Sequence, residues 1–168
     1  MVRIELVTNI AAPIERCFDL SRSIDLHMAS TDWTGERAIA GVTSGLIGLD
    51  QTVTWQGRHF GFKIQHTSQI TAFDRPRHFQ DSMVRGIFRS FCHDHYFENA
   101  SGETRMKVSW CSQRLSGCWA VWSRARWIVT CGRCWIAGIA ALSGRQSLRS
   151  GGSSYWAKYH EYSRGTGK

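Results

Sequence analysis

The chain has 168 residues and a formal net charge of +8, about one domain's worth of sequence and enough for a single hydrophobic core. No stretch approaches the roughly 20 apolar residues that cross a bilayer, and the charged alternation Met1-Val2-Arg3-Ile4-Glu5-Leu6 lacks the apolar centre of a signal peptide, so a cytoplasmic, reducing setting with the six cysteines as thiols is expected. The excess charge argues less for a nucleic-acid partner than its size suggests, because residues 1 to 109 hold 12 basic and 12 acidic side chains, while the remainder holds 9 basic residues against Glu161 alone.

In chain order, Arg3 to Ile10 alternates with period two and places Ile4, Leu6, Thr8 and Ile10 on one face of a strand. Pro13 suits the first turn of a short helix in which Ile14, Cys17 and Phe18 recur at helical spacing. Ser23 is the expected N-cap of a second short helix, to about Ser30, with Ile24 and Met28 facing inward.

From Gly35 the pattern becomes antiparallel sheet. Strands are predicted over Arg37 to Val42 and Thr52 to Gln56, with Gly57 and Arg58 closing a turn. His59 to Phe73 alternates most clearly, with Phe60, Phe62, Ile64, His66, Ser68 and Ile70 on one side. After the turn Asp74-Arg75-Pro76-Arg77 come His78 to Arg85, with Phe79 and Met83 on one face, and Ile87 to Glu98, with Phe91, His93, His95 and Phe97 on one face. Asn99 to Gly102 turns the chain into a last strand, Thr104 to Val108. The class is α+β, a sheet of about six to seven strands with two short helices after the first. Helices this short cannot cover such a sheet, so a longer C-terminal helix is required.

The first part of the chain, about Val2 to Lys107, resembles the START-like, or SRPBCC, helix-grip superfamily, which includes polyketide cyclase/dehydrase-like and other hydrophobic-ligand-binding proteins. The residues that carry the resemblance are Ile4 to Thr8 with Ile10 to Glu15, Val53-Thr54-Trp55 with Arg58-His59-Phe60, Ile70 to Pro76, Arg85-Gly86, Phe91 with His93 to Glu98, and Gly102 to Met106. The resemblance implies a curved sheet wrapped around a C-terminal helix, with an apolar cavity between them. It implies no shared catalytic motif and no cofactor.

The expected domain core is therefore residues 1–109, with 110–168 supplying the covering helix. That segment departs from the pattern. It has six of the eight Trp, four of the six Cys and no Pro, the composition of GC-rich coding sequence translated out of frame. Shifting the frame by two bases forces Leu-Gly from Cys118-Trp119-Ala120, Asp from Trp127-Ile128 and Leu-Asp from Cys134-Trp135-Ile136. The neighbouring codons permit an acid-containing, Leu-rich helix. A one-base indel near Lys107 or Val108 is the expectation, with disorder toward 143–168; a divergent but genuine tail, helical over Ile128 to Leu142, is the alternative. An out-of-frame tail would leave an apolar sheet face larger than monomers usually expose, so low stability or a homodimer would follow.

Few polar groups converge on the expected cavity. Trp55, Phe60, Phe62, Ile64, Met83, Phe91 and Phe97 are the candidate lining, with His66, His93 and His95 as polar anchors. His93 and His95 lie two apart on one strand and share a face, which suits a ligand's polar group, acid/base work or a metal. No third metal ligand follows from local spacing; His66, from an adjacent strand, is a possible third, and no metal is expected. Cys131-Gly132-Arg133-Cys134 with Cys111 and Cys118 matches no common zinc module, and the cluster Trp119, Trp122, Arg124, Arg126, Trp127 is read as an accident of frame. The expected partner is a small hydrophobic molecule, bound without catalysis; the alternative is a cyclase or dehydratase using His93 or His95 as acid/base.

Overall fold

The computed structural model describes residues 2–31, 35–59, 62–86 and 89–113. Strand β1, Val2–Ile10, leads into helices α1, Ile14–Ser21, and α2, Ile24–Ser30. Six strands follow: β2, Arg37–Gly41; β3, Thr52–His59; β4, Phe62–Asp74; β5, His78–Arg85; β6, Ser90–Ala100; and β7, Glu103–Gln113. All pair antiparallel in one seven-stranded sheet of order β1-β7-β6-β5-β4-β3-β2. No helix among the described residues is long and apolar enough to cross a membrane.

Local chemistry explains the elements. Exposure alternates along β1 from Arg3 to Ile10, with Ile4, Leu6, Thr8 and Ile10 on the covered side, as the period-two pattern requires. In α2 the Ser23 hydroxyl accepts from the Leu26 N–H at 3.2 Å, satisfying a donor the helix start would otherwise leave unpaired. Ser101 and Gly102 both take positive φ, 53° and 86°, the backbone of a tight β6–β7 hairpin whose twist matches its strands.

Two strand ends differ from expectation. Gly57 and Arg58 do not turn the chain; they continue β3, opposite Ile64 and Lys63 of β4. Gly57 is buried there. Strand β7 runs on to Gln113, with Val108, Ser109, Trp110 and Ser112 all buried, so the strand persists through the change in composition. The rest of the C-terminal segment, including its expected helix, lies outside the described residues.

The core is held by α1. Phe18 meets Phe73, Phe79 and Phe97 edge-on, with ring centroids 5.3, 5.4 and 5.5 Å apart, a favoured aromatic geometry. At the opposite flank the Thr104 hydroxyl donates to the Ala12 carbonyl at 2.6 Å, tying β7 to the entry of α1. This packing fills one end of the concave face and leaves space beyond it.

Candidate functional site

That space is a cavity of about 130 Å³. Its walls come from strands and helices far apart in sequence: Val53 and Trp55 on β3, Ile70 on β4, Phe79 on β5, Phe91 on β6, Trp110 on β7 and Ile24 on α2. Two polar clusters interrupt the apolar lining, besides the single side chains His66 and Ser68 on β4.

The first is built from β5 and β6. Asp81 is the register partner of His93, and its Oδ2 lies 3.1 Å from His93 Nδ1. His93 Nδ1 is also 3.1 Å from His95 Nε2, and His95 Nε2 is 3.6 Å from the same Asp81 oxygen. The rings are fixed by stacking, His95 on Phe79 at 4.1 Å and His93 on Trp110 at 4.8 Å. His95 is almost fully buried, and the Asp81 side chain keeps 20% of its exposure.

Burial dominates the electrostatics. It disfavours the charged imidazole of His95, and with the neighbouring His93 it outweighs Asp81 and pushes the His95 pKa down to about 3. His95 is therefore neutral at physiological pH. For Asp81 burial acts in the opposite sense, but the two imidazoles, His93 foremost, hold its carboxyl well below the usual carboxylate range. The result is an anionic oxygen beside a neutral imidazole in an apolar wall.

The second group lies near α2. His27 Nε2 is 3.3 Å from Glu36 Oε2, whose side chain is 4% exposed, and the His27 ring packs on Trp55 at 4.2 Å. Both line the cavity, with Arg22, Ser21 and Thr31.

Of the candidates read from sequence, Trp55, His66, Phe91, His93 and His95 line this cavity together. Phe97 lies deeper, in the aromatic core beside Phe18 and Phe79, and Ile64 and Met83 are not among the lining residues. Phe62 is the first residue of β4, and Phe60 lies outside the described residues. His66 stands on β4, separated from β6 by β5, and does not join the His93–His95 group. The third member is Asp81, which shares the face of Phe79 and Met83 and whose alternation is legible in the sequence, although its partner across the strands is not.

The thiols sort differently from the sequence grouping. Cys111 lies opposite Cys92 in the β6–β7 ladder, and burial, followed by the neighbouring Cys111, pushes the Cys92 thiol up to about 11. Cys118, Cys131 and Cys134, and the Trp119 to Trp127 cluster, lie outside the described residues.

No family model matches the chain, and no curated protein matches it in sequence. Solved structures do match. The ZhuI aromatase/cyclase of Streptomyces sp. R1128 superposes with a TM-score of 0.66 at 13% identity, covering 90% of this chain and 98% of its own. TTHA0849 of Thermus thermophilus gives 0.62 at 13% identity, with 83% and 95% covered. Major latex-like protein 151 of Panax ginseng gives 0.56 at 14%, with 81% and 95% covered. The fold is the START-like helix grip. Within that START-like fold the seven-stranded sheet and the two helices after β1 are those expected from the sequence, and the likeness extends to the fold alone.

Proposed function

We propose that this START-like domain binds a small hydrophobic molecule carrying one polar group, without transforming it. The observation that carries the reading is the cavity, whose apolar walls meet a convergent polar cluster at Asp81, His93 and His95. Few polar groups in an apolar enclosure orient a ligand and select it. An engineered apolar space of about 150 Å³ holds a benzene-sized molecule, so a volume of about 130 Å³ suits a ligand part of about one ring. The aromatase/cyclase among the structural neighbours, together with the His–Asp cluster, supports a second reading in which His93 or His95 moves a proton on an aromatic or polyketide-like substrate.

Native mass spectrometry of the purified chain, followed by the double substitution His93→Gln/His95→Gln, separates the two. Retention of a small apolar molecule by the original chain, weakened in the variant with no turnover to lose, supports binding. Turnover of the retained molecule, abolished in the variant, supports the enzyme. A chain that retains no molecule and takes up no apolar fluorescent probe contradicts both.

A further inference from the structure

We propose that Asp81, His93 and His95 form a binding site for a divalent first-row transition metal ion, of the zinc or iron(II) kind, on the cavity wall. The inference concerns the cluster itself and does not depend on an apolar ligand being bound.

The geometry of the three ligand atoms carries it. Asp81 Oδ2, His93 Nδ1 and His95 Nε2 form a triangle with edges of 3.1, 3.1 and 3.6 Å. An ion bonded at about 2.1 Å to three such atoms needs edges of roughly 3.0 Å in octahedral and roughly 3.4 Å in tetrahedral geometry. The observed triangle spans those values, so its edges match what three bonds of that length to one ion require.

His93 Nδ1 and His95 Nε2 lie 3.1 Å apart, and which of them donates depends on the tautomer. The edge from Asp81 to His95, at 3.6 Å, is too long for a hydrogen bond. A dication satisfies all three atoms at once. Two imidazoles and a carboxylate are the ligand set of open transition-metal sites, which keep positions for water or substrate, whereas closed structural zinc sites use four protein ligands. Here the remaining positions would open on the cavity that all three residues line.

The support is rigid. Two ligands share β6 and the third comes from the adjacent β5, both inside the sheet, and stacking on Phe79 and Trp110 fixes the ring planes. Ligands positioned by the surrounding shell are what a selective site needs.

The test uses the full chain carrying Cys118→Ser, Cys131→Ser and Cys134→Ser, so that the thiols beyond β7 do not compete. After chelator treatment the protein is dialysed against cobalt(II), then against zinc(II). The expected result is one cobalt per chain with visible d–d absorption, no near-ultraviolet thiolate band, two paramagnetically shifted imidazole N–H resonances, and loss of colour on adding zinc. The paramagnetic signature is read on unsubstituted Asp81, His93 and His95, so it stands even where a ligand variant fails to fold. Asp81→Asn and His93→Gln should each weaken cobalt binding by about tenfold or more, whereas His66→Gln should not. Failure of the folded chain to take up cobalt, a thiolate band, absence of the shifted imidazole signals, or undiminished uptake by folded Asp81→Asn and His93→Gln would each overturn the site. Binding of an apolar fluorescent probe to the chelator-treated protein tests the ligand reading separately, so either can fail alone.

Discussion

Asp81 and His93 stand opposite one another in the β5–β6 ladder, with carboxylate Oδ2 3.1 Å from imidazole Nδ1. Both side chains are mostly buried, so removing either one takes away a close polar contact of the other. Asp81→Asn and His93→Gln should therefore be strongly non-additive: the double variant should melt close to the worse single variant, with a coupling of about 1 kcal/mol or more. A thermal double-mutant cycle in metal-free buffer measures it, and additive losses would show that the contact contributes nothing.

Filling the cavity separates binding from folding. Ser68 is buried on β4 and lines the cavity. Ser68→Leu places a larger apolar side chain in that space, so uptake of an apolar fluorescent probe should fall by about tenfold or more while the melting temperature holds or rises. Unchanged uptake by the folded variant would place the ligand elsewhere.

The strap between β7 and the start of α1 is open to a direct test. Thr104→Val keeps the side-chain shape but removes the donor to the Ala12 carbonyl, leaving that buried acceptor without its 2.6 Å partner. A loss of about 1–3 kcal/mol is expected, read as a lower midpoint in urea at unchanged slope.

How much of this is legible in the sequence follows from the range of each signal. The alternation of β1 and β6 and the Ser23 cap are readable because side-chain facing and capping depend on residues a few positions apart. Asp81 does not stand out as part of the site because its role depends on the β5–β6 register, a pairing between Asp81 and His93 that no two-residue turn fixes. Alternation on β4 groups His66 with the other histidines, but it does not reveal that β5 lies between. Gly57-Arg58 has turn composition and lies within a strand, since pairing with Ile64 and Lys63 overrides local preference. Composition changes at Val108 and suggests that β7 ends there, although the strand runs on to Gln113 with Trp110 and Ser112 buried.

Acid should weaken one flank of the fold. Arg75 foremost, with help from Arg22 against the cost of burial, lowers the Asp19 pKa below its ordinary value of 3.8. A lowered folded-state pKa contributes stability that is complete above the unfolded value and lost as pH falls below it. The difference in melting temperature between the original chain and Asp19→Asn should thus be constant near neutrality and shrink below about pH 4. A difference that grows on acidification would reverse the assignment.

Cys92 should be a poor nucleophile. With its thiol pushed up to about 11, first by burial and then by Cys111, little thiolate exists near neutral pH. Peptide mapping after iodoacetamide treatment at about pH 8 should find Cys92 labelled far more slowly than a free thiol, and faster in Cys111→Ser. Rapid labelling of Cys92 in the folded chain would contradict this.

The order of the sheet also bears on how the chain comes to be folded. Among the described residues β1 stands at the edge of the sheet with β7 as its one neighbour, so Val2 must wait for Ser112 and Ile10 for Thr104. Once made, β1 thus lacks its β7 partner until nearly the whole of the described sequence has followed it. Pairings this distant in sequence favour folding in milliseconds to seconds over microseconds, and an unpaired nascent strand invites association with other chains. Protection of β1 therefore matters most in the interval before β7 is available to pair with it.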